Sequence, residues 1–541
     1  MSMVIMGMAM VEKTSKYQLK SLFLTVASLF LSASALAGEW RFEPSLGLTE
    51  TYTNNIELTQ LDKQSSLVNQ LIIGADANFS SRKLNFTFAA TETLATYSHD
   101  SELNDDYQTW FGNLSYSLWQ DKLQFVTNSS ITNVSKNDSG NSLADLITAD
   151  TVQQQNHSAG LQYNTANSDY SLYSSLIGSL TNTEDDIGES HGYTAVINSK
   201  NGNAARYVFW DLDGSFSNRE NGGVNNTTES LTSENYRLET KLGVITSYKL
   251  NPFVRLYNER VTGTAAGSNP DAIPSWGPGL RYQAAKHFIV DLSYNYVRDN
   301  TEASDDYVAA DIDWQLSART SLKAGYSKRF FGDSYNVDFT HKSRRLTNTL
   351  SYHENIEVFD RNNYQQIDSE VWCPNDTTDV NDCLPLGETP SDTTDYTNVP
   401  VSSLELVEDN EFSLNKRLSW QSQLALARTT FTLDLSNRER ESLSTGIIDD
   451  YLDARFSITR RISSRSDVTV YISYNKNIFD KDQPDGPRQK DVYKKLSATY
   501  NKSLASSLNA FLTLQYLDRQ SNFERYTYNE ARASLNLTKD F

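Results

Sequence analysis

The chain has 541 residues, a formal net charge of −20, 38% hydrophobic residues and 11% aromatic residues. The acidic balance argues against a nucleic-acid-binding protein, because such proteins need a basic face. After residue 37, no apolar run is long enough for a membrane-spanning helix, and no stretch keeps a helical period.

The N-terminal segment has the pattern of a secretory signal peptide. Lys13, Lys16 and Lys20 precede an apolar run from Ser21 to Ala37, which ends on a small-x-small motif. We therefore expect residues 1–37 to be a signal peptide, cleaved before Gly38. A single membrane anchor is the alternative interpretation, because the run is close to the shortest length of a helical span.

From residue 38 to 541 the chain repeats segments of about ten residues in which apolar and polar side chains alternate. In one segment, Phe288, Val290 and Leu292 alternate with Asp291 and Ser293. This pattern is typical of a transmembrane barrel, whose side chains face lipid and lumen in turn. The sequence predicts an all-β protein: one large antiparallel up-and-down β-barrel of about 24 strands.

Short polar turns alternate with longer polar loops along the chain. Because such barrels have short periplasmic turns and long extracellular loops, both chain ends are expected in the periplasm of a Gram-negative bacterium. The expected surroundings are outer-membrane lipid and lipopolysaccharide, with the barrel-assembly machinery as a partner during insertion.

The C-terminal segment alternates up to a final aromatic residue. Leu535, Leu537 and Phe541 fit the C-terminal signal by which barrels are recognised for assembly, although Lys539 takes a place that is usually apolar.

Charged residues are expected to line the lumen, because they fall on the polar parity of their strands. The lumen-lining candidates are Asp211, Asp213, Arg281, Asp291, Asp311, Asp313, Lys323 and Arg329. Mixed charge of this kind can line a hydrated passage with a transverse field. The same charges can instead pair with one another and fill a wide lumen, and the sequence leaves both interpretations open.

The longest loop, residues 360–410, is expected to be extracellular and contains the only two cysteines, Cys373 and Cys383. In an oxidising compartment they are predicted to form a disulfide, which would restrict the loop by roughly 3 kcal/mol on the chain-entropy model. The predicted first strand directly follows the leader, which leaves no room for a plug domain. We therefore expect this loop to constrict the pore, or else to lie outside as a surface for recognition.

No residue pattern indicates catalysis. The sequence has no hydrolase triad motif, phosphate-binding loop or haem-binding motif, and its acidic loops do not match a calcium loop. We expect no enzyme activity, no cofactor and no metal site.

Three stretches carry a family resemblance: Trp40–Leu58, Gly325–Val358 and Asn410–Glu441. With short patterns such as Arg329-Phe330-Phe331-Gly332 and Arg428-Thr429-Thr430, the chain resembles the PEP-CTERM system-associated outer-membrane β-barrel family, which is linked to exopolysaccharide gene clusters. The resemblance implies a porin-like channel or accessory barrel connected with surface polysaccharide or protein sorting, and it supplies no catalytic residue.

Two functions follow as expectations. The first is a channel for an exopolysaccharide, with polysaccharide or export-system components as partners. Aromatic side chains of lumenal parity could stack on sugar rings or could simply pack the lumen; they are Tyr207, Phe209, Tyr257, Tyr451 and Tyr493. The second is a non-conducting barrel that serves as a scaffold for a periplasmic or surface partner.

Overall fold

The computed structural model describes residues 38–135, 145–148, 151–184, 189–221, 231–263, 272–285, 287–298, 305–358, 363–374, 396–407, 412–443, 446–479 and 488–541. The predicted signal peptide lies outside these residues. Cys383 also lies outside them, so the disulfide stays a prediction.

The described chain consists of β-strands with two short 3₁₀ helices, Ser101–Leu103 and Glu524–Tyr526. The first strands are β1 (Glu39–Thr53), β2 (Ser66–Ser80), β3 (Leu84–Tyr97), β4 (Asp105–Trp119), β5 (Leu123–Ser135), β6 (Thr151–Ala166), β7 (Tyr170–Thr183), β8 (Ser190–Asn201) and β9 (Val208–Asn221). They are followed by β10 (Leu231–Val244), β11 (Leu250–Thr262), β12 (Ser275–Ala285), β13 (Phe288–Val297), β14 (Tyr307–Ser317), β15 (Thr320–Arg329), β16 (Gly332–Lys342), β17 (Leu346–Val358), β18 (Asn363–Pro374) and β19 (Tyr396–Val407). The last strands are β20 (Phe412–Ala425), β21 (Thr429–Ser442), β22 (Ile448–Ser463), β23 (Ser466–Ile478), β24 (Lys490–Ala505), β25 (Leu508–Ser521) and β26 (Tyr528–Asp540).

The sheet is a closed antiparallel barrel of 24 strands. Each strand pairs with the next along the chain, except that β17 pairs with β20. The barrel closes where β26 pairs with β1, from Ser45 opposite Asp540 to Thr53 opposite Arg532. Closure leaves no unpaired sheet edge, which a spanning sheet requires in hydrocarbon. The predicted fold class and strand number are confirmed.

The barrel has two different edges. At one edge the connections are short, such as residues 81–83 between β2 and β3 or 464–465 between β22 and β23. The first residue of β1 and the last residue of β26 lie at this same edge. We call it the turn edge. At the opposite edge, the loop edge, most connections are longer, which is the predicted alternation.

The two faces of the wall differ in polarity. On β13, Leu292 and Tyr294 are exposed, whereas Asp291, Ser293 and Asn295 are buried. The buried side chains lie on the inner face of the barrel. They contact side chains of strands that are not adjacent to their own, such as Lys241 on β10 with Asp291 on β13, and only a concave face allows this. The outer face is an apolar band, as a barrel surrounded by lipid requires. Within the described ranges, no helix is long and apolar enough to cross a membrane.

Aromatic side chains gather towards both ends of the outer face. Phe288 contacts Tyr282 and Trp314 near the turn edge. Trp276 and Tyr296 pack together near the loop edge, with ring centroids 5.4 Å apart. Two such belts are typical of barrels that span a membrane, since amphipathic rings favour its interfaces.

The long connection between β17 and β20 contains a separate hairpin. β18 pairs with β19 and with no barrel strand among the described residues. The same number of residues separates Val358 from Asn363 as separates Val407 from Phe412, so the hairpin keeps the register of the β17–β20 ladder. Its position relative to the lumen stays a prediction.

Candidate functional site: the lumenal wall

One part of the inner face is a network of ion pairs on β10–β15, which we call the paired wall. Arg281 donates to Asp291 through Nε and Nη2, at 2.7 and 2.8 Å. The Lys241 ammonium donates to Asp291 at 3.0 Å and to Asp311 at 2.6 Å. Lys241 lies on β10 and Asp291 on β13, so this bond passes over two strands.

A second group of the same network lies closer to the loop edge. Arg255 donates from Nε to Glu239 at 2.8 Å and from Nη1 to the Tyr307 hydroxyl at 3.0 Å. Arg329 on β15 donates from Nε to both oxygens of Glu259 on β11, each at 3.1 Å. Arg255 is only 2% exposed, so these charges are withdrawn from the lumen into the wall.

Two glycines explain how side chains meet over β12. Gly277 and Gly279 are on its inner face, and a Cβ there would overlap the Tyr294 carbonyl oxygen or the Phe253 ring, respectively. The inner face of β12 therefore has no side chains at Gly277 and Gly279. The Arg255 side chain of β11 passes over β12 and reaches Tyr307 on β14 and Ser327 on β15. Side chains of neighbouring strands thus occupy the space above the two glycines.

The structure places all lumen-lining candidates on the inner face, in two groups. Arg281, Asp291, Asp311 and Arg329 belong to ion pairs of the paired wall. Asp211, Asp213, Asp313 and Lys323 are exposed on the same face. For the first group, the arrangement corresponds to charges that pair and fill the lumen.

Sequence reasoning missed the acids Glu239 and Glu259, which hold Arg255 and Arg329. The alternation of the strands could have placed both on the inner face, because Glu239 lies two residues from Lys241 and Glu259 lies two residues from Tyr257, and residues two apart share a face. Parity alone could not show that each meets a cation on the inner face.

A second part of the inner face carries no charge. β5, β6 and β7, the neutral wall, contain no Asp, Glu, Lys or Arg. Their inner side chains are mainly hydroxyls and amides, including Asn128, Ser130, Asn156, Ser158 and Ser175. Such groups donate and accept hydrogen bonds without holding a counter-ion.

A third part, on β20–β24, has free cations. A pocket of 590 Å³ is lined by Arg417, Arg455, Lys495 and Tyr471, and we call it the cationic groove. The Arg455 guanidinium lies 4.3 Å from the Tyr471 ring centroid, and the Lys495 ammonium lies 6.0 Å from it. Closer to the loop edge, the Arg438 guanidinium carbon lies 4.4 Å from the centroid of the Tyr451 ring.

The carboxylates of the cationic groove are engaged by neutral donors. Gln421 donates to Asp434 at 2.9 Å, and Asn475 and Ser436 donate to Asp453. Among the residues that the structure describes, none of the four cations forms an ion pair. They face the lumen with their donor groups available.

Aromatic residues of lumenal parity are mostly packed. Phe209 lies under Arg281, 4.2 Å from its guanidinium carbon, while Tyr257 and Tyr493 are buried. Tyr207 is exposed in the turn before β9. Of the predicted stacking positions, Tyr451 is the one that borders the cationic groove.

Short segments cover the inner face at the loop edge. Leu146 and Ile147, between β5 and β6, pack on a cluster that includes Val68 and Tyr97, and Asp145 pairs with Arg532. In the connection between β1 and β2, Leu58 packs on Tyr493, Leu517 and Tyr528. For residues 360–410, a constriction of the pore and a position outside it both stay predictions, and in the described chain the segments at Leu58 and at Leu146 reach the lumenal face.

The C-terminal residues lie at the closure. Leu535 and Leu537 are exposed on the outer face, and the Phe541 N–H donates to the Pro44 carbonyl at 2.9 Å. The Lys539 ammonium lies 5.5 Å from the Phe541 ring centroid and donates a hydrogen bond to the Ser507 hydroxyl. These two contacts explain how the outer face accommodates a charge here.

Comparison with known proteins gives similarity in structure only. No family model matches the chain, and no curated protein matches it. The siderophore receptor PirA from Pseudomonas aeruginosa aligns with 93% of this chain and 80% of its own, at 8% identity and a TM-score of 0.40. The FrpB iron transporter from Neisseria meningitidis aligns with 94% and 82%, at 9% identity and a TM-score of 0.43. An OmpT loop-deletion mutant from Vibrio cholerae aligns with 94% and 100%, at 8% identity and a TM-score of 0.33.

At these identities the likeness transfers no ligand to this chain. The closed strand ladder and the apolar outer band define it as a barrel of the outer-membrane type.

Proposed function

We propose that the protein is an outer-membrane channel that passes an exopolysaccharide or its fragments, with the turn edge in the periplasm. The observation that carries the proposal is the neutral wall. Hydroxyl and amide side chains on three consecutive strands can exchange hydrogen bonds with sugar hydroxyls, and no fixed charge there holds a solute by ion pairing.

The proposal includes a setting. The family resemblance suggests a connection with PEP-CTERM surface systems, with polysaccharide or export components as partners and the barrel-assembly machinery acting during insertion. Genes for polysaccharide synthesis beside this gene would support that setting, and their absence from related genomes would contradict it.

Conductance tests the channel directly. Purified full-length protein in a planar bilayer should give discrete ion-conducting steps, and a neutral oligosaccharide such as maltohexaose should interrupt them transiently. The control for insertion is the heat-dependent gel mobility of folded barrels. Folded, inserted protein that stays silent would contradict the proposal.

A non-conducting scaffold is the second candidate, favoured by the segments that cover the inner face at the loop edge. Leu58 and the Asp145–Thr148 segment both pack there. A scaffold should remain silent in the bilayer and conduct no better after Asp145→Asn, which removes the ion pair with Arg532 and leaves Arg532 paired with Glu530. A channel held closed by this contact should instead open more often.

A further inference from the structure

The cationic groove has an electrostatic arrangement that its own residues do not balance. Arg417 on β20 is the register partner of Arg438 on β21, so two guanidinium groups start from directly opposite positions. Like charges placed opposite each other on neighbouring strands are destabilising. In the part of the chain that the structure describes, no carboxylate forms an ion pair with either of them.

The paired wall shows that this chain can neutralise lumenal cations. There, Arg281 and Lys241 share Asp291, and Arg255 has Glu239. In the cationic groove, the nearby carboxylates Asp434 and Asp453 accept from amide and hydroxyl donors instead. Asp434 is the register partner of Arg455, yet in the described chain no cation of the groove forms an ion pair with either acid, and an external anion can satisfy the cations.

The spacing of the cations fits an extended ligand. Arg455, Ser473 and Lys495 lie in one cross-strand row on β22, β23 and β24. Two interstrand steps separate the two cations at their Cα atoms by about 9–10 Å. A chain with a carboxylate on successive units can contact both cations where they stand, whereas a small anion can contact both only if their side chains converge on it.

The remaining lining suits a sugar chain. The Tyr471 ring lies between Arg455 and Lys495, and Ser473, Ser436 and Asn475 supply neutral polar groups. Aromatic rings pack on the apolar faces of sugars, and a guanidinium group can bind a carboxylate with two parallel hydrogen bonds.

We infer that the cationic groove is a binding site for an acidic oligosaccharide, whose carboxylates pair with Arg417, Arg455 and Lys495 while a sugar ring packs near Tyr471. The inference rests on the proposed function and specifies its substrate class as a uronate-containing chain.

Calorimetry on the full-length protein in detergent tests the inference with three probes: a galacturonate hexamer, maltohexaose and inorganic sulfate. The galacturonate hexamer should bind best, and its affinity should fall as salt is raised. The triple variant Arg417→Gln, Arg455→Gln, Lys495→Gln should bind it at least tenfold more weakly, with its weak binding of maltohexaose unchanged.

A matched control removes a lumenal cation elsewhere. Lys200→Gln, on the inner face of β8 opposite Asp211, should leave galacturonate binding unchanged. Arg455→Lys with the other two residues intact should retain most of the affinity, since the charge remains.

Three results would overturn the inference. They are equal binding of maltohexaose, undiminished binding by the folded triple variant, and sulfate binding as tight as that of the hexamer, which would indicate a small-anion site. Binding in detergent does not depend on conduction. A silent channel that binds the hexamer would therefore refute the proposed function alone, whereas a conducting channel that binds neither sugar would refute the inference alone.

Discussion

The paired wall and the cationic groove contain the same kinds of residue in opposite arrangements. In the paired wall, Lys241 and Arg281 both donate to Asp291, which is 4% exposed. In the cationic groove, Arg455 lies on a tyrosine ring, and Asp453 is bonded by Asn475 and Ser436. One set of charges is neutralised within the wall, whereas the other remains available to a solute.

The number of charged residues on the inner face therefore does not reveal whether they act on a solute. A cation held by a buried acid contributes little to the field along a pore, because its charge is neutralised within the wall. A cation stacked on an aromatic ring keeps its charge and its donors.

The largest effect is expected from breaking the paired wall. Asp291→Asn removes the negative charge shared by Arg281 and Lys241, and one of its two acceptor oxygens, and should lower the free energy of unfolding by about 3–5 kcal/mol. Guanidinium unfolding of the refolded protein in lipid vesicles measures it. The control is Asp313→Asn, an exposed carboxylate on the same face, which should change stability by about 0.5 kcal/mol or less. Equal losses would show that the ion pairs do not stabilise the wall.

The next effect tests which face is which. Ile312→Arg puts a charge on the outer face and should cost about 2–4 kcal/mol near the middle of the membrane. Asp313→Leu, one residue along on the inner face, should be tolerated. Asp313 is the matched position because Asp311 accepts from Lys241. The same unfolding assay applies, and the reverse order of the two losses would mean that β14 is out of register by one residue.

A smaller effect is expected at the bare face of β12. Gly277→Ala places a methyl group against the Tyr294 carbonyl and should cost about 1–3 kcal/mol through overpacking. Gly178→Ala on β7 is the control, because its methyl group would meet nothing closer than 3.8 Å. If both glycines tolerate alanine alike in the unfolding assay, close approach over β12 does not shape the paired wall.

The smallest effect on stability is expected in the cationic groove. Arg455→Gln removes a cation–π contact but no ion pair, so it should cost about 0.5–1 kcal/mol. The unfolding free energy should therefore stay close to that of the unchanged protein. A loss as large as that of Asp291→Asn would place Arg455 among the stabilising charges.

The sequence predicted the barrel well because alternation has a period of two on every strand and sets the face of each residue directly. Neighbouring strands were predictable too: Arg281, Asp291 and Asp311 are successive register partners. Contacts that pass over strands, such as Lys241 with Asp291, were not, since they depend on local curvature and on the missing side chains of Gly277 and Gly279.

The sequence pattern also could not predict which loop segments pack on the inner face. Loop length singled out residues 360–410, yet Leu58 and Leu146 are held on the inner face by packing. Neither has a periodic pattern around it, because a loop docks through a few apolar contacts whose partners lie far away in sequence.

Ion selectivity distinguishes cations that face the solute, as expected in the cationic groove, from cations that are neutralised within the wall, as expected in the paired wall. The measurement is the reversal potential of single channels under a KCl gradient. Two variants are compared with the unchanged protein: Arg417→Gln, Arg455→Gln, Lys495→Gln, and the charge-balanced Arg281→Gln, Asp291→Asn, which leaves the Lys241–Asp311 pair in place. The triple variant should shift towards cation selectivity, and the balanced variant should not shift. A shift in the balanced variant as large as that of the triple variant, or none in the triple variant, would contradict the account.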